Sequence, residues 1–527
     1  MEQLALLFLL MLAALIAVPV AERIGVPSPI LMTLTGTGLA MLPFIPGIEV
    51  PPELILPLVL PPLIYAAIRR TSWRQFTTNW KPITLLAVAL IFVTTTVVAA
   101  LAHAIIPGLP LAAAVALAAL IAPPDPIATT AVAGKLGLPR RLVSILVGEG
   151  LFNDVTAIVL YHIAIAAVVT GTFSVPDALA EFALSAVVAI LVGVALGWSA
   201  GKLAGILGQT HLRVALTLLA PFASYSLADD LHGSGVLAVL TTAFFLSESV
   251  ADADDIEGRL AGASFWNIIE VLVTGVAFGL IGLELQNLFH NWSGRLGELL
   301  TWGGIITAAL IILRLLWLLP ASWLARKFRT TPKSESEIPA TWRETIVVWW
   351  SGMRGVATVA LALAIPHTID SGDPFPARGD IIFIAFTVIV ATLLVQGMSL
   401  PWLVNLLGVR TDAEIERSME RRLATAATDA ARHRLKQLDN VEDLPEDIIE
   451  TVSRQLSAIE ARISPELVDE ERREMAEHDT QRFRVLHHVQ DEIMSAARAA
   501  VLNMRSQPGT DPEVVDRVLH LLDMKSH

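Results

Sequence analysis

Through residues 1–410 the chain is a series of long apolar runs separated by short polar breaks. A run of about 20 apolar residues crosses the roughly 30 Å hydrocarbon core of a bilayer as a helix. Thirteen such runs are visible, near 3–20, 28–43, 52–68, 82–106, 111–133, 142–169, 178–200, 212–228, 234–249, 263–286, 299–324, 343–366 and 380–408. The first reads as a span and not as a cleaved leader. Glu2 stands where a basic segment is expected, and no small-x-small cleavage pattern follows. Beyond 410 apolar positions recur at helical spacing within dense charge, which predicts amphipathic helices near 411–437, 444–463, 466–505 and 512–524. The expected architecture is all-α: a polytopic membrane domain over 1–410 and a soluble helical C-terminal domain over 411–527.

Two of the runs are interrupted. The fifth contains Ala122-Pro123-Pro124-Asp125-Pro126, and proline removes a donor and clashes with the preceding turn, so no continuous helix survives. The twelfth contains Ser351-Gly352-Met353-Arg354-Gly355, a weaker breaker. If spans 1–6 and 8–13 are two halves joined by span 7, both breaks fall in the fifth span of a half. Corresponding spans are then seven apart, an odd number, so the halves are inverted with respect to each other. Paired breaks in inverted repeats point to a transport site near the bilayer midplane. Asp125 followed by Pro126 reads as a helix start, with the carboxylate on the positive end of the second half-helix. Arg354 follows the end of a half-helix, where a cation offsets the negative pole.

Charge fixes the orientation and singles out a few side chains. Assigning the loops of the thirteen spans to alternate sides puts sixteen Lys and Arg residues on one side and only Arg295 and Arg378 on the other. By the positive-inside rule the N-terminus is outside and the C-terminal tail is cytoplasmic. Arg410 sits at the inner edge, which leaves Arg314 and Arg354 as the basic residues deep within spans. Asp125, Glu149 and Asp154 are the matching deep acids. Charge inside a bilayer is expensive and marks function by default. Glu181, Glu248, Glu284 and Glu344 lie near span ends and reach interfacial water in this reading, with Glu270 intermediate. His103, His162 and His211 are isolated and read as core or interfacial residues.

Composition narrows the classes further. The chain is 54% hydrophobic and only 17% charged, with a net charge of −13, which points away from nucleic acid and from an ordinary soluble enzyme. It has no cysteine, so disulfides, iron–sulfur clusters and thiolate zinc sites are excluded. The tail carries 25 of the 50 acidic and 16 of the 37 basic residues. It shows no phosphate loop, metal spacing or hydrolase motif, and His478, His487 and His488 read as parts of solvated helical faces. No cofactor is implied.

The sixth span reads Gly148-Glu149-Gly150-Leu151-Phe152-Asn153-Asp154-Val155. It strongly resembles the G-E-S-L-x-N-D signature of the NhaP/NHE-type sodium/proton antiporters, the monovalent cation:proton antiporter-1 family. Four other stretches agree in order: Pro61-Pro62-Leu63-Ile64-Tyr65, Pro123-Pro124-Asp125-Pro126, Arg314 within Ile312–Trp317, and Trp350-Ser351-Gly352-Met353-Arg354-Gly355. The resemblance covers about residues 1–410. It implies a homodimer of thirteen-helix protomers in a bacterial inner membrane. A core of residues 82–169 and 299–408 would move against a scaffold of residues 1–68 and 178–286. It implies that Asp154 exchanges cation for proton, that Asn153 marks the electroneutral branch, and that Glu149 pairs with Arg314. The chain departs from the pattern at Pro124, where the family has a threonine, at Gly150, where it has a serine, and at Ala66 and Ala67, where many relatives carry an acid. The backbone carbonyls of Pro124 and Gly150 are then candidate ligands in place of the lost hydroxyls.

Charge arithmetic leads to the same chemistry. Three deep acids face two deep bases. If Glu149 pairs with Arg314 and Asp125 leans on Arg354, Asp154 is the unpaired carboxylate. A proton or a partly dehydrated monovalent cation neutralises it, but not both at once, and that mutual exclusion is antiport. Asp154, Asn153 and Asp125 form the expected ion- and proton-binding set, with Asp154 and Asp125 as the cation ligands and Asn153 positioning without titrating. Na⁺ is the expected cation, with Li⁺ or K⁺ as alternatives, including a K⁺-selective proton antiporter. A gated cation channel would show a filter-like loop or a charged ring, and neither is visible. An intramembrane protease built on Asp125 and Asp154 is the remaining class, and the buried arginine partners and matched breaks favour a transporter over an enzyme.

Overall fold

In the computed structural model the chain divides into two compact units, Met1–Arg410 and Thr411–His527. The structure describes residues 2–24, 26–41, 51–69, 88–125, 138–171, 175–207, 209–250, 256–291, 295–327 and 341–409 of the first, and 425–426, 428–438, 445, 449 and 452–453 of the second. In the second unit helix runs through 428–438, and most of the predicted tail helices lie outside the described residues.

The first unit is helical, with no β-strand among its described residues. Its helices are α1 Glu2–Ile24, α2 Ser28–Ala40, α3 Pro52–Ile68, α4 Leu90–Ile105, α5 Leu111–Ile121, α6 Arg140–Thr170, α7 Val175–Ile206, α8 Thr210–Asp230, α9 Gly235–Val250, α10 Ile256–Asn291, α11 Leu296–Lys327, α12 Trp342–Trp350, α13 Val356–Leu363, α14 Arg378–Thr392 and α15 Met398–Leu407. A π-helical turn, Leu393–Gly397, joins α14 to α15. Helix occupies part of each apolar run read from the sequence. Six helical segments among the described residues are long and apolar enough to cross a membrane: Leu7–Ile24, Gly148–Thr170, Ala183–Ile206, Ala261–Glu284, Leu296–Trp323 and Arg378–Leu407.

Some apolar helices fall short of that length for local reasons. α5 stops where Pro123 and Pro124 follow, and the predicted twelfth run is two helices, α12 and α13, separated by 351–355. α12 starts on a side-chain cap, with Thr341 Oγ1 accepting from the Glu344 amide at 3.2 Å. This places Glu344 at the third helical position. α6 ends at Gly171 and α15 at Gly408, both in the left-handed region with φ of 69° and 64°.

Packing sorts the helices into two groups. α1, α2, α3 and α7–α10 pack with one another, α4–α6 pack with α11–α15, and the groups meet where α13 lies against α3 and α10, α14 against α10 and α6 against α3. Small residues let backbones approach closely, as expected where lipid gives no hydrophobic drive between helices. A Cβ on Gly36 of α2 would lie 2.2 Å from the Gly279 carbonyl oxygen of α10, and one on Gly282 would lie 2.3 Å from the Thr33 carbonyl oxygen. On the same helix, a Cβ on Gly38 would meet nothing within 4 Å. Gly36→Val should therefore push α2 off α10 and lower stability by at least the ~1–3 kcal/mol of ordinary overpacking. Gly38→Val should change it far less. Thermal unfolding of the detergent-solubilised protein checks this, and equal losses at the two positions would contradict the packing.

Candidate functional site

The two breaks bind each other. After α5 the chain runs non-helically through Ala122–Asp125, and the Asp125 amide donates to the Met353 carbonyl at 2.7 Å. The Asp125 carboxylate returns the bond, with Oδ2 accepting from the Val356 amide at 3.0 Å. Val356 is the first residue of α13, so an acid from one broken helix sits on the positive end of the other. The sequence reading placed Asp125 at the start of its own second half-helix. Residues 126–137 are outside the described residues, and the observed helix partner of the carboxylate belongs to the opposite break.

The glycines of the second break are seats for side chains. A Cβ on Gly355 would lie 1.4 Å from Asp125 Oδ2 and 2.3 Å from its Cγ. Any side chain at 355 therefore evicts the carboxylate. A Cβ on Gly352 would lie 2.9 Å from Arg314 Cδ. Sequence reasoning took these glycines as helix breakers only. Their spacing of three, flanking Arg354, was the available signal.

Glu149 of α6 and Arg314 of α11 form the expected pair. Arg314 Nη1 donates to Glu149 Oε1 and Nη2 to Oε2 at 2.8 Å, a bidentate contact between side chains that are almost completely buried. Arg314 Nη2 also donates to the Val348 carbonyl of α12 at 3.2 Å. Asn153, four residues after Glu149 and on the same face of α6, is fully buried. Its Nδ2 donates to the Pro124 carbonyl at 3.3 Å, so that carbonyl is engaged by the amide. Gly150 is buried in the interior of α6.

Asp154 differs from the other charged residues of the cluster. Glu149, Arg314, Arg354 and Asp125 are each at most 9% exposed, whereas Asp154 keeps partial exposure. Its charged neighbours are Asp125 and Arg354. The electrostatic neighbours of Arg354 are Arg314, Glu149 and Asp154. Its Nε and Nη1 have no hydrogen-bond partner among the described residues, while its amide donates to Thr392 Oγ1 at 3.2 Å. Asp125 thus bonds to the N-terminus of α13, and Arg354 has Arg314, Glu149 and Asp154 as charged neighbours.

Beside Asn153 Oδ1, on a residue the sequence singled out, lie two neutral oxygens that it did not: Thr358 Oγ1 in the first turn of α13 and Gln396 Oε1 on the π-helical turn. All three are buried without a hydrogen-bond partner among the described residues. The peripheral acids fall elsewhere. Glu284 pairs with Arg378, and the Glu270 side chain is partly buried. The side chains of Glu181 and Glu248 lie outside the described residues. His103 contacts the Leu109 carbonyl through Nδ1 at 2.7 Å, while His162 and His211 are exposed.

This arrangement can be compared with known proteins. The sequence profile of the family described as "Sodium/hydrogen exchanger, transmembrane" matches residues 9–406. The chain belongs to the sodium/hydrogen exchanger family. The resemblance read from the Asn153-Asp154 signature and its companion motifs is borne out. Among its relatives, the sodium, potassium, lithium and rubidium/H⁺ antiporter of Bacillus pumilus is 32% identical over 445 residues, 82% of this chain, and the match spans 65% of that protein's length. The uncharacterised Na⁺/H⁺ exchanger YjcE of Escherichia coli is 30% identical over 526 residues, 95% of this chain and 93% of that one. The fold is similar to the solved structure of the sodium proton antiporter MjNhaP1 from Methanocaldococcus jannaschii. The TM-score is 0.60 at 20% identity, with 77% of this chain and 100% of that one covered.

Glu149 and Arg314 neutralise each other while almost completely buried, so losing either leaves the other's charge unanswered. Glu149→Ala and Arg314→Ala should each destabilise the purified protein by ~3–5 kcal/mol, because each strands the other's buried charge. The double replacement should recover part of that loss. Thermal unfolding of the four proteins measures the coupling, and strictly additive losses would show that the two are not partners.

Proposed function

We propose that this chain is a secondary transporter that exchanges a monovalent cation for H⁺ by competition at Asp154. The observation that carries the reading is the fate of the three deep acids. Arg314 neutralises Glu149, the N-terminus of α13 holds Asp125, and Asp154 keeps partial exposure beside them. Family membership supports the reaction class. A bound cation would draw on the carboxylates of Asp154 and Asp125, and on neutral oxygens such as Asn153 Oδ1. Asn153 holds Pro124 in place and carries no titrating charge. One cation then replaces one proton, and the exchange is electroneutral.

In this reading the membrane domain has thirteen spans in two inverted halves. The group α4–α6 with α11–α15 is the moving core, and α1–α3 with α7–α10 is the scaffold of a homodimer surrounded by lipid. Access to Asp154 alternates between the two sides as the core moves. The N-terminus faces outward, and residues 411–527 form a cytoplasmic helical tail with a regulatory role, in a bacterial inner membrane. Its role is proton and sodium balance. Na⁺ is the favoured cation. K⁺ and Li⁺ are the second reading, because one relative carries both in its name.

Proteoliposomes with an imposed pH gradient, given Na⁺, Li⁺ and K⁺ separately, test this directly. Added Na⁺ should collapse the gradient with the wild-type chain, and a folded Asp154→Asn protein should leave it intact. Clamping the membrane potential at zero or at a large negative value should leave the initial rate nearly unchanged. A net transported charge would feel roughly 2.3 kcal/mol per 100 mV, and a rate that follows the potential would refute one-for-one exchange. Wild-type exchange by Asp154→Asn would remove Asp154 from the centre of the mechanism.

A further inference from the structure

Arg378 opens α14, and in the thirteen-span reading it lies on the side opposite the basic loops. Its Nη1 donates to Glu284 Oε1 of α10 at 3.2 Å, and its Nε donates to the Ile365 carbonyl, just past α13, at 3.0 Å. Glu284 belongs to one packing group of helices, and Arg378 and Ile365 belong to the other. The ion pair therefore bridges the two bodies that alternating access would move apart. Both side chains are only partly exposed, 17% for Arg378 and 26% for Glu284, so the pair is less screened than a surface one.

The stretch of α6 that leads from Asp154 toward this end is packed. Ile158 and Tyr161 follow Asp154 along α6 toward its C-terminal end, and each is 1% exposed. Tyr161 lies within electrostatic reach of Arg378. The connection from α13 to α14 folds over the same end. Its Asp370 amide donates to the Val169 carbonyl near the end of α6 at 3.2 Å, and its Phe375 amide donates to the His367 carbonyl at 2.9 Å. Ala377, next to Arg378, is held in the left-handed region at φ 54°, a conformation that a residue with a side chain adopts only where surrounding contacts impose it.

We infer that the Arg378–Glu284 pair is a latch that holds the outer approach to Asp154 closed in the conformation seen here. The inference rests on the exchange reading above, and deepens it by naming the contact that biases access. Opening this side requires α14 and the connection before it to leave α10, which parts the two charges. A contact present in one state and absent in the other shifts the equilibrium by its differential worth. Glu284→Gln weakens the latch while leaving Arg378 on the Ile365 carbonyl.

The chain has no cysteine, so Ile158→Cys gives a single thiol between Asp154 and Tyr161 without further changes to the background. The full-length Ile158→Cys protein is labelled with a membrane-impermeant maleimide applied to each face of the membrane separately. Labelling from the face bearing Arg378 should be slow, and adding Glu284→Gln should raise its rate about tenfold. The charge swap Glu284→Arg with Arg378→Glu should return the rate toward that of the starting protein. A rate unchanged by Glu284→Gln in protein that purifies as folded would overturn the latch, as would a swap that labels as fast as Glu284→Gln alone. Labelling needs no ion gradient and is repeated in an Asp154→Asn background. A chain that exchanges ions with labelling unchanged loses only the latch. A chain with no exchange but accelerated labelling loses only the transport reading.

Discussion

A charge held inside a bilayer must be answered locally, and the arrangement of this membrane unit follows from that constraint. Two acids are answered by fixed partners: Glu149 by the fork of Arg314, Asp125 by the first amide of α13. Both answers come from elements far away in sequence, so they also fasten the helices together. α6 is held to α11, α11 to α12 through the Val348 carbonyl, and the end of α5 to the start of α13. What remains is Asp154, partly exposed, beside Arg354 and Asp125. Adding a single positive charge at this carboxylate removes the local imbalance, and in the proposed exchange either a proton or a cation supplies it.

The contact between the two breaks depends on residues that contribute no charge. Pro123 and Pro124 end α5 and turn the chain so that Asp125 reaches across. Gly355 leaves the volume that the Asp125 carboxylate fills, and Gly352 leaves room for the stem of Arg314. The last residue of α14, Thr392, accepts from the Arg354 amide, and the π-helical turn that follows buries Gln396. Backbone atoms released from helical bonding are tolerated at this depth because the opposite break supplies partners for them.

Much of this was legible in the sequence, for identifiable reasons. The pairing of Glu149 with Arg314 was implied by the resemblance of the sixth and eleventh spans to the family's motifs, whereas counting three deep acids against two deep bases left several pairings open. The breaks were visible because proline and glycine act through local sterics. The helix partner of Asp125 was not legible: a local N-cap rule points to the next residues of the chain, whereas the observed amide is 231 positions away. Glu284 looked like an acid reaching for interfacial water. Its partner Arg378 was visible as one of two basic residues on the sparse side, but nothing in the periodicity of either helix places them together. Gly355 read as a breaker because volume exclusion by a distant carboxylate leaves no local signature.

The central claim is that one carboxylate is neutralised by either a proton or a cation, never both. Proton release on cation binding measures this without transport. Na⁺ is added to weakly buffered, detergent-solubilised protein over a series of pH values while the pH is recorded. The wild-type chain should release up to about one proton per chain within a limited pH window, and Asp154→Asn should release none. Equal release from folded Asp154→Asn, or no release from the wild-type chain at any pH where Na⁺ binds, would contradict the account.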